Sequence, residues 1–262
     1  MATDPYAAPR ARVADVPAGA PGGNFIAEGQ AVAAGNGWQW IVDAWALFKR
    51  QPGMWIAIIV VFFVLFFLVS LVPFVGSLAA ALLGPVFAGG IVRGCQEVRD
   101  GGELEIGHLF AGFKSNTGKL VMIGVFNLVA WIVIAGVIML LVGGSMFAAM
   151  MGGGDANAAR GAAAGLSMVL AVLIGLALSI PVYMAIWFAP SLVALNDFEP
   201  VQALKTSFGA CLKNIVPYLL YGVILFALAI VASIPLGLGW LVLGPVLAIS
   251  VYTAYRDIFY VG

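Results

Sequence analysis

His108 is the only histidine in the chain, so one copy cannot build a His-based metal cluster, and Ser-His catalysis would have to recruit this single imidazole. The two thiols, Cys95 and Cys211, suit small apolar fillers better than a disulfide or redox pair. Intramembrane proteolysis and ion-coupled transport both need an ionisable side chain at mid-membrane, and no Asp or Glu falls inside any long apolar run. The glycines at 152–154 lead into neither a Lys nor a strand, so they make no phosphate-binding loop. The expectation is therefore no catalytic residue, no cofactor and no metal. The most telling polar residue within the apolar runs is Asn127, because an amide in hydrocarbon needs a partner and so faces the bundle. An interhelical hydrogen bond is its expected role, with a place in a binding site as the alternative.

The elements that carry these residues are spanning helices. Of the 262 residues 63% are hydrophobic and only 9% are charged, too few charges to cover a water-facing surface. Net charge is zero, which gives no field for a nucleic acid partner. Six runs reach the length that a bilayer requires: 54–72, 74–93, 120–142, 166–189, 215–235 and 236–255. A β-barrel would instead alternate over about 10 residues. The fold class is all-α, a polytopic integral membrane protein. Its six helices pair into three hairpins, with Pro73 and Pro235 in the short turns of the first and third and a Gly/Ala/Met loop, 143–165 with Asp155 and Arg160, in the second. Arg10, Arg12, Lys49, Arg50, Arg93, Arg99, Lys114, Lys119, Lys205, Lys213 and Arg256 fall on one side and Arg160 alone on the other, which predicts both termini in the cytoplasm. Residues 1–36, rich in Ala, Pro and Gly without periodicity, read as a disordered cytoplasmic tail ahead of a six-helix transmembrane domain, 37–262.

That domain repeats internally. Leu83-Gly84-Pro85-Val86, Ser179-Ile180-Pro181-Val182 and Leu243-Gly244-Pro245-Val246 put a Pro-Val step in the second helix of each hairpin. Each hairpin follows an amphipathic segment that ends in Lys: Leu47-Phe48-Lys49, Gly112-Phe113-Lys114 and Cys211-Leu212-Lys213. The repeats run from about 37 to 99, 100 to 196 and 197 to 262, all in the same orientation and able to close around a pseudo-threefold axis. Pro85, Pro181 and Pro245 each free a carbonyl and predict helix kinks at matched depths. Gly76, Ala80, Gly84 and Ala88 form a stripe of small residues on which a neighbouring backbone can close, within the chain or in a homo-oligomer.

At the basic face, Arg93, Arg99, Lys114 and Lys119 are interleaved with Glu97, Asp100, Glu103 and Glu105, a mixture that favours a salt-bridged collar over anionic headgroup binding. Lys49 and Arg50 follow a segment bearing Trp38, Trp40 and Trp45, a combination suited to an interfacial lipid anchor.

The stretch Gly37-Trp38-Gln39-Trp40-Ile41-Val42-Asp43-Ala44-Trp45 with Phe48-Lys49 resembles the opening of a family of bacterial six-helix inner-membrane proteins. Phe188-Ala189-Pro190 through Asn196-Asp197, with Ala203, Ser207 and Lys213-Asn214, is also similar to the membrane domain attached to some glycerophosphodiester phosphodiesterases. The resemblance implies fold and location rather than activity, and the phosphodiesterase chemistry belongs to a soluble domain that this sequence lacks. The expected function is a non-enzymatic accessory, scaffold or assembly subunit that packs against membrane lipids and a membrane-protein partner. The alternative is a permease or channel for a lipid or small uncharged solute, with an axial cavity gated at Pro85, Pro181 and Pro245.

Overall fold

The computed structural model describes residues 23–72, 75–151 and 157–261. The first unit is α1 (Asn36–Phe48), α2 (Pro52–Ser70) and α3 (Val75–Arg99). A 3₁₀ helix (Ile106–Phe113) precedes α4 (Thr117–Met151), α5 (Asn157–Trp187) and the short α6 (Ala189–Asn196). The third unit is α7 (Pro200–Lys213), α8 (Ile215–Ser233) and α9 (Trp240–Phe259). Six of these stretches are long and apolar enough to cross a membrane, and each pair of spans follows a short surface helix, so the protein is an all-α, polytopic membrane protein. Pro85, Pro181 and Pro245 all lie inside continuous helices.

Within its most apolar stretch, α9 is 50% buried and α3 is 44% buried, against 6% for α4, so α3 and α9 are the central spans and the others face lipid along most of their length. The tight core lies toward the basic end, where Trp40, Trp55, Leu109, Phe188, Tyr252, Tyr255 and Phe259 are all almost fully buried. Lipid tails are as apolar as these side chains, so spans associate through close backbone approach rather than through transfer from water. Gly112 of the 3₁₀ helix shows the fit: a Cβ there would stand 2.0 Å from the Val86 carbonyl oxygen of α3.

Four expectations need correction. The tail does not run free to residue 36. From Asn24 the chain is a strap, with Asn24–Phe25 (β1) paired antiparallel to Tyr260–Val261 (β2). Gln30 N–H then donates to the Ile258 carbonyl at 2.8 Å, and Val32 N–H to Asn214 Oδ1 at 2.8 Å. A two-residue strand has no periodicity, so composition concealed it; residues 1–22 lie outside the described residues.

The loop expected over 143–165 is largely helix, since α4 continues to Met151 and α5 begins at Asn157. Ala and Met are good helix formers, and a helix can continue beyond the hydrocarbon. Pro73 and Asp155 lie outside the described residues, as does the side chain of Arg160. The second surface segment is 3₁₀ rather than α-helical, with Glu105 N–H donating to His108 Nδ1 at 3.0 Å, so His108 caps a helix end.

The fourth correction concerns the span expected over 166–189, which breaks at Phe188 and turns into α6. In an unbroken helix the Phe188 N–H would bond the Met184 carbonyl. Here the Ser207 hydroxyl from α7 stands between them, accepting from Phe188 N at 3.0 Å and donating to Met184 O at 2.7 Å. Side-chain insertion into the helical ladder and the missing donor of Pro190 together account for the break. The far end of α6 is fixed as well. Arg93 donates to the Ala194 carbonyl at 3.0 Å, Tyr255 OH donates to Asn196 Oδ1, and Asn196 Nδ2 donates to Tyr260 OH at 3.2 Å.

Candidate functional site: an axial cavity among the proline-containing spans

The three proline-containing helices share a cavity of about 340 Å³. Residues six positions after each repeat proline, Ile91 in α3, Trp187 in α5 and Val251 in α9, all line it. Two of the three residues three positions after those prolines, Ala88 and Ala248, line it too. Six residues carry a helix about 9 Å past the proline. Matched positions of the three repeats therefore contribute one wall, which is what a pseudo-threefold arrangement requires. The repeats are not identical in detail. Pro85 and Pro245 are buried and Pro181 is exposed; only Pro85 reaches the cavity, joined there by Pro190 of α6.

The wall is apolar except at three side chains. The Ser191 hydroxyl is fully buried with no hydrogen-bond partner among the described residues, and the Trp187 indole N–H is likewise buried and unpaired. Asn127 of α4 also lines the cavity and enters no side-chain hydrogen bond among the described residues. Asn127 thus faces the bundle as expected, but without the interhelical hydrogen bond expected of it. An unpaired polar group in a dry interior costs about 1–3 kcal/mol. Converging two or three of them on one apolar hollow is the arrangement of a small-molecule site, and the volume falls within the usual range of about 300–1,000 Å³. Among the described residues, no ionisable side chain lines the cavity.

The small-residue stripe of α3 is divided between two tasks. A Cβ at Gly76 would meet the Ser70 backbone of α2 at 2.6 Å, so that residue serves packing within the chain. Ala80, Gly84 and Ala88 line the cavity, and a Cβ at Gly84 would meet nothing within 4 Å.

The residues expected to form a lipid anchor are divided too. Trp38 and Trp45 are exposed and line an apolar groove of about 510 Å³ between α1, α8 and α9. Trp40 is a core residue at 1% exposure, its Nε1 donating to Asp257 Oδ2 at 2.7 Å. It lies on the opposite face of α1, the stripe of Gly37, Trp40, Ala44 and Phe48 that packs into the bundle. Lys49 is exposed, whereas Arg50 donates to the Val98 carbonyl at 2.9 Å and satisfies the C-terminal end of α3. The salt-bridged collar is not formed among the described residues. Lys119 alone is ion-paired, with Asp197 and Glu199, both at 2.9 Å. The sequence held no signal for the unpaired hydroxyl of Ser191, because which serine loses its partner depends on the break at Phe188.

The chain is 32% identical over 206 residues to a probable inner membrane protein of Burkholderia thailandensis, covering 77% of this chain and 76% of that protein. No family model matches the chain. No solved structure matches it.

Proposed function

From a chain that belongs to the family of the Burkholderia thailandensis probable inner membrane protein, a multi-pass protein of that membrane, we propose a binder or permease that holds a small uncharged molecule in its axial cavity and does no covalent chemistry on it. The observation that carries this reading is the convergence of Ser191, Trp187 and Asn127 on a hollow lined by equivalent positions of all three repeats. Asn127 offers a guest with a polar atom and an apolar body both a donor and an acceptor, whereas the fully buried Ser191 hydroxyl and Trp187 indole N–H stand just behind the wall and meet the guest only after a local side-chain shift. The wall holds no charge to compensate an ion, so a charged guest would bear its full desolvation cost.

The same observation weighs against a purely packing role, because part of the stripe that supports a scaffold in the sequence lines the cavity. The positive-inside count places the basic end, with both termini, in the cytoplasm as part of this proposal. So is the likeness to the membrane domain of some glycerophosphodiester phosphodiesterases, which favours a task on the lipid side. Lipids lie along α4, α5 and the groove under Trp38 and Trp45.

The test is thermal stability of delipidated protein after adding the neutral fraction of a native membrane extract. The neutral fraction is expected to raise the melting temperature of the wild type and to leave Gly84→Leu, which fills open space in the cavity, unmoved. An equal rise in both proteins, or none in the wild type, overturns the reading.

A further inference from the structure

The surface helices close the bundle into a ring. The 3₁₀ helix packs on α3, α7 on α5 and α1 on α9, so each surface helix sits on the proline-containing span of the repeat before it. In such a ring that span should also meet the first span of the next repeat. α3 packs closely on α4 and α9 packs on α2, but α5 and α8 share almost no close backbone approach. The threefold arrangement is therefore open at one of its three junctions.

Apolar side chains line the opening. Ile180, Met184, Leu212, Ile215, Tyr218 and Leu219 border a groove of about 540 Å³ between α5, α7 and α8, and no charged side chain among the described residues lines it. Ile180 and Leu219 are exposed and form rims on two spans, so the groove faces hydrocarbon. Trp187 separates this groove from the axial cavity, and among the described residues it alone lines both. It is the last residue of α5, just before the break at Phe188. Its indole stands edge to face with two rings of α8, Tyr218 at 6.0 Å and Tyr221 at 6.4 Å between centroids. Tyr221 is anchored from behind, its hydroxyl 2.6 Å from Ser250 Oγ of α9. The Trp187 indole N–H has no partner among the described residues, so turning the ring aside breaks no hydrogen bond. The basic end, by contrast, is closed by Leu109, Leu120, Phe188 and Leu192, all fully buried.

We infer that the axial cavity is loaded sideways from the bilayer, through the opening between α5 and α8, with the Trp187 side chain as its gate. The inference rests on the ligand reading of that cavity and narrows the guest to an uncharged lipophile with a hydroxyl or carbonyl, a molecule that dissolves in hydrocarbon before it meets the protein. The side-chain shift that opens the gate also frees the Trp187 N–H for the guest's oxygen.

The test uses 3-azioctanol, a photoreactive neutral alcohol, with the full chain in phosphatidylcholine vesicles. Rapid mixing followed by a light flash at increasing delays gives the rate at which label reaches residues 84–92 of α3 on the cavity wall, and loss of that label from Gly84→Leu identifies it as label inside the cavity. Leu219→Trp and Ile180→Trp each set a large ring in the groove, from opposite rims and away from the cavity wall, so one suffices should the other fail to fold. Forcing that ring aside at each passage is expected to slow uptake about tenfold, with the final extent of labelling unchanged. Ile132→Trp, at an exposed residue of α4, should keep the wild-type rate, and Trp187→Ala, which removes the gate, should raise it. Wild-type rates in both groove variants overturn the lateral route and leave the cavity reading intact. An unchanged rate in Trp187→Ala removes Trp187 as the gate. No label on 84–92 in the wild type, or label that Gly84→Leu retains, overturns both the route and the cavity reading.

Discussion

Replacing Ser207 with Ala removes the hydroxyl that holds the chain open between Met184 and Phe188. Ser207 and Phe188 are both fully buried, so water cannot take the place of the hydroxyl. The Phe188 N–H loses its acceptor outright, whereas the Met184 carbonyl keeps a weak contact from Cys211 Sγ at 3.5 Å. A stranded buried donor costs about 1–3 kcal/mol, and the lost second bond adds a fraction more, so about 2 kcal/mol is expected. The helix can recover part of this by closing the direct Phe188 to Met184 bond. Pro190 limits that recovery, because its ring clashes with the Ile186 carbonyl in a straightened helix. For a protein of this length 2 kcal/mol corresponds to a drop of about 4–8 °C in melting temperature. Melting in detergent, followed by intrinsic fluorescence, should show this drop for Ser207→Ala and a smaller one for Ser207→Thr, which keeps the hydroxyl. If Ser207→Ala melts within 1 °C of the wild type, Ser207 does not hold the break, and the origin assigned here to α6 is wrong.

Two further predictions rest on groups at the basic end. Asn214 is fully buried and binds the strap from both ends of its amide, to Val32 N and Gln30 O, so Asn214→Ala should free residues 23–35 to limited proteolysis while the spans stay intact. Burial pushes the Cys211 thiol up to about 12 from an ordinary 9.0. Between those values the unfolded chain ionises the thiol and the folded protein does not, so the unfolded state binds fewer protons and stability falls as pH rises from 9 toward 12. Below pH 9 this group makes no difference to stability. Alkylation of Cys211 by iodoacetamide at pH 8 should accordingly follow unfolding; rapid labelling of the folded protein would contradict the burial.

The six spans were legible because twenty apolar residues in a row admit few other structures, and α7 because Val201, Leu204, Phe208, Cys211 and Leu212 recur at helical spacing. α1 was placed correctly, but its three tryptophans were grouped as one anchor although Trp40 lies in the core. Both of its faces are apolar, so the pattern could not tell the face of Trp38, Val42 and Trp45, which is exposed, from that of Trp40, Ala44 and Phe48, which packs inward. The repeat prolines were legible, and the helices that carry them share a cavity. What they could not give was the cavity wall, because Pro181 faces outward while Pro190, outside the repeated step, faces in. The break at Phe188 and the roles of Arg50 and Arg93 as partners of helix carbonyls depend on which segments meet across the bundle. No local spacing encodes that.

The axial cavity as a ligand site is tested most directly by native mass spectrometry of the full chain released from its own membrane, wild type beside Gly84→Leu. A Cβ at position 84 meets nothing within 4 Å, so the variant is expected to fold with unchanged stability and to occupy the hollow with its own side chain. The account predicts a small uncharged adduct on the wild type that is lost from the variant. The same adduct on both, or a bare wild-type chain, would contradict it.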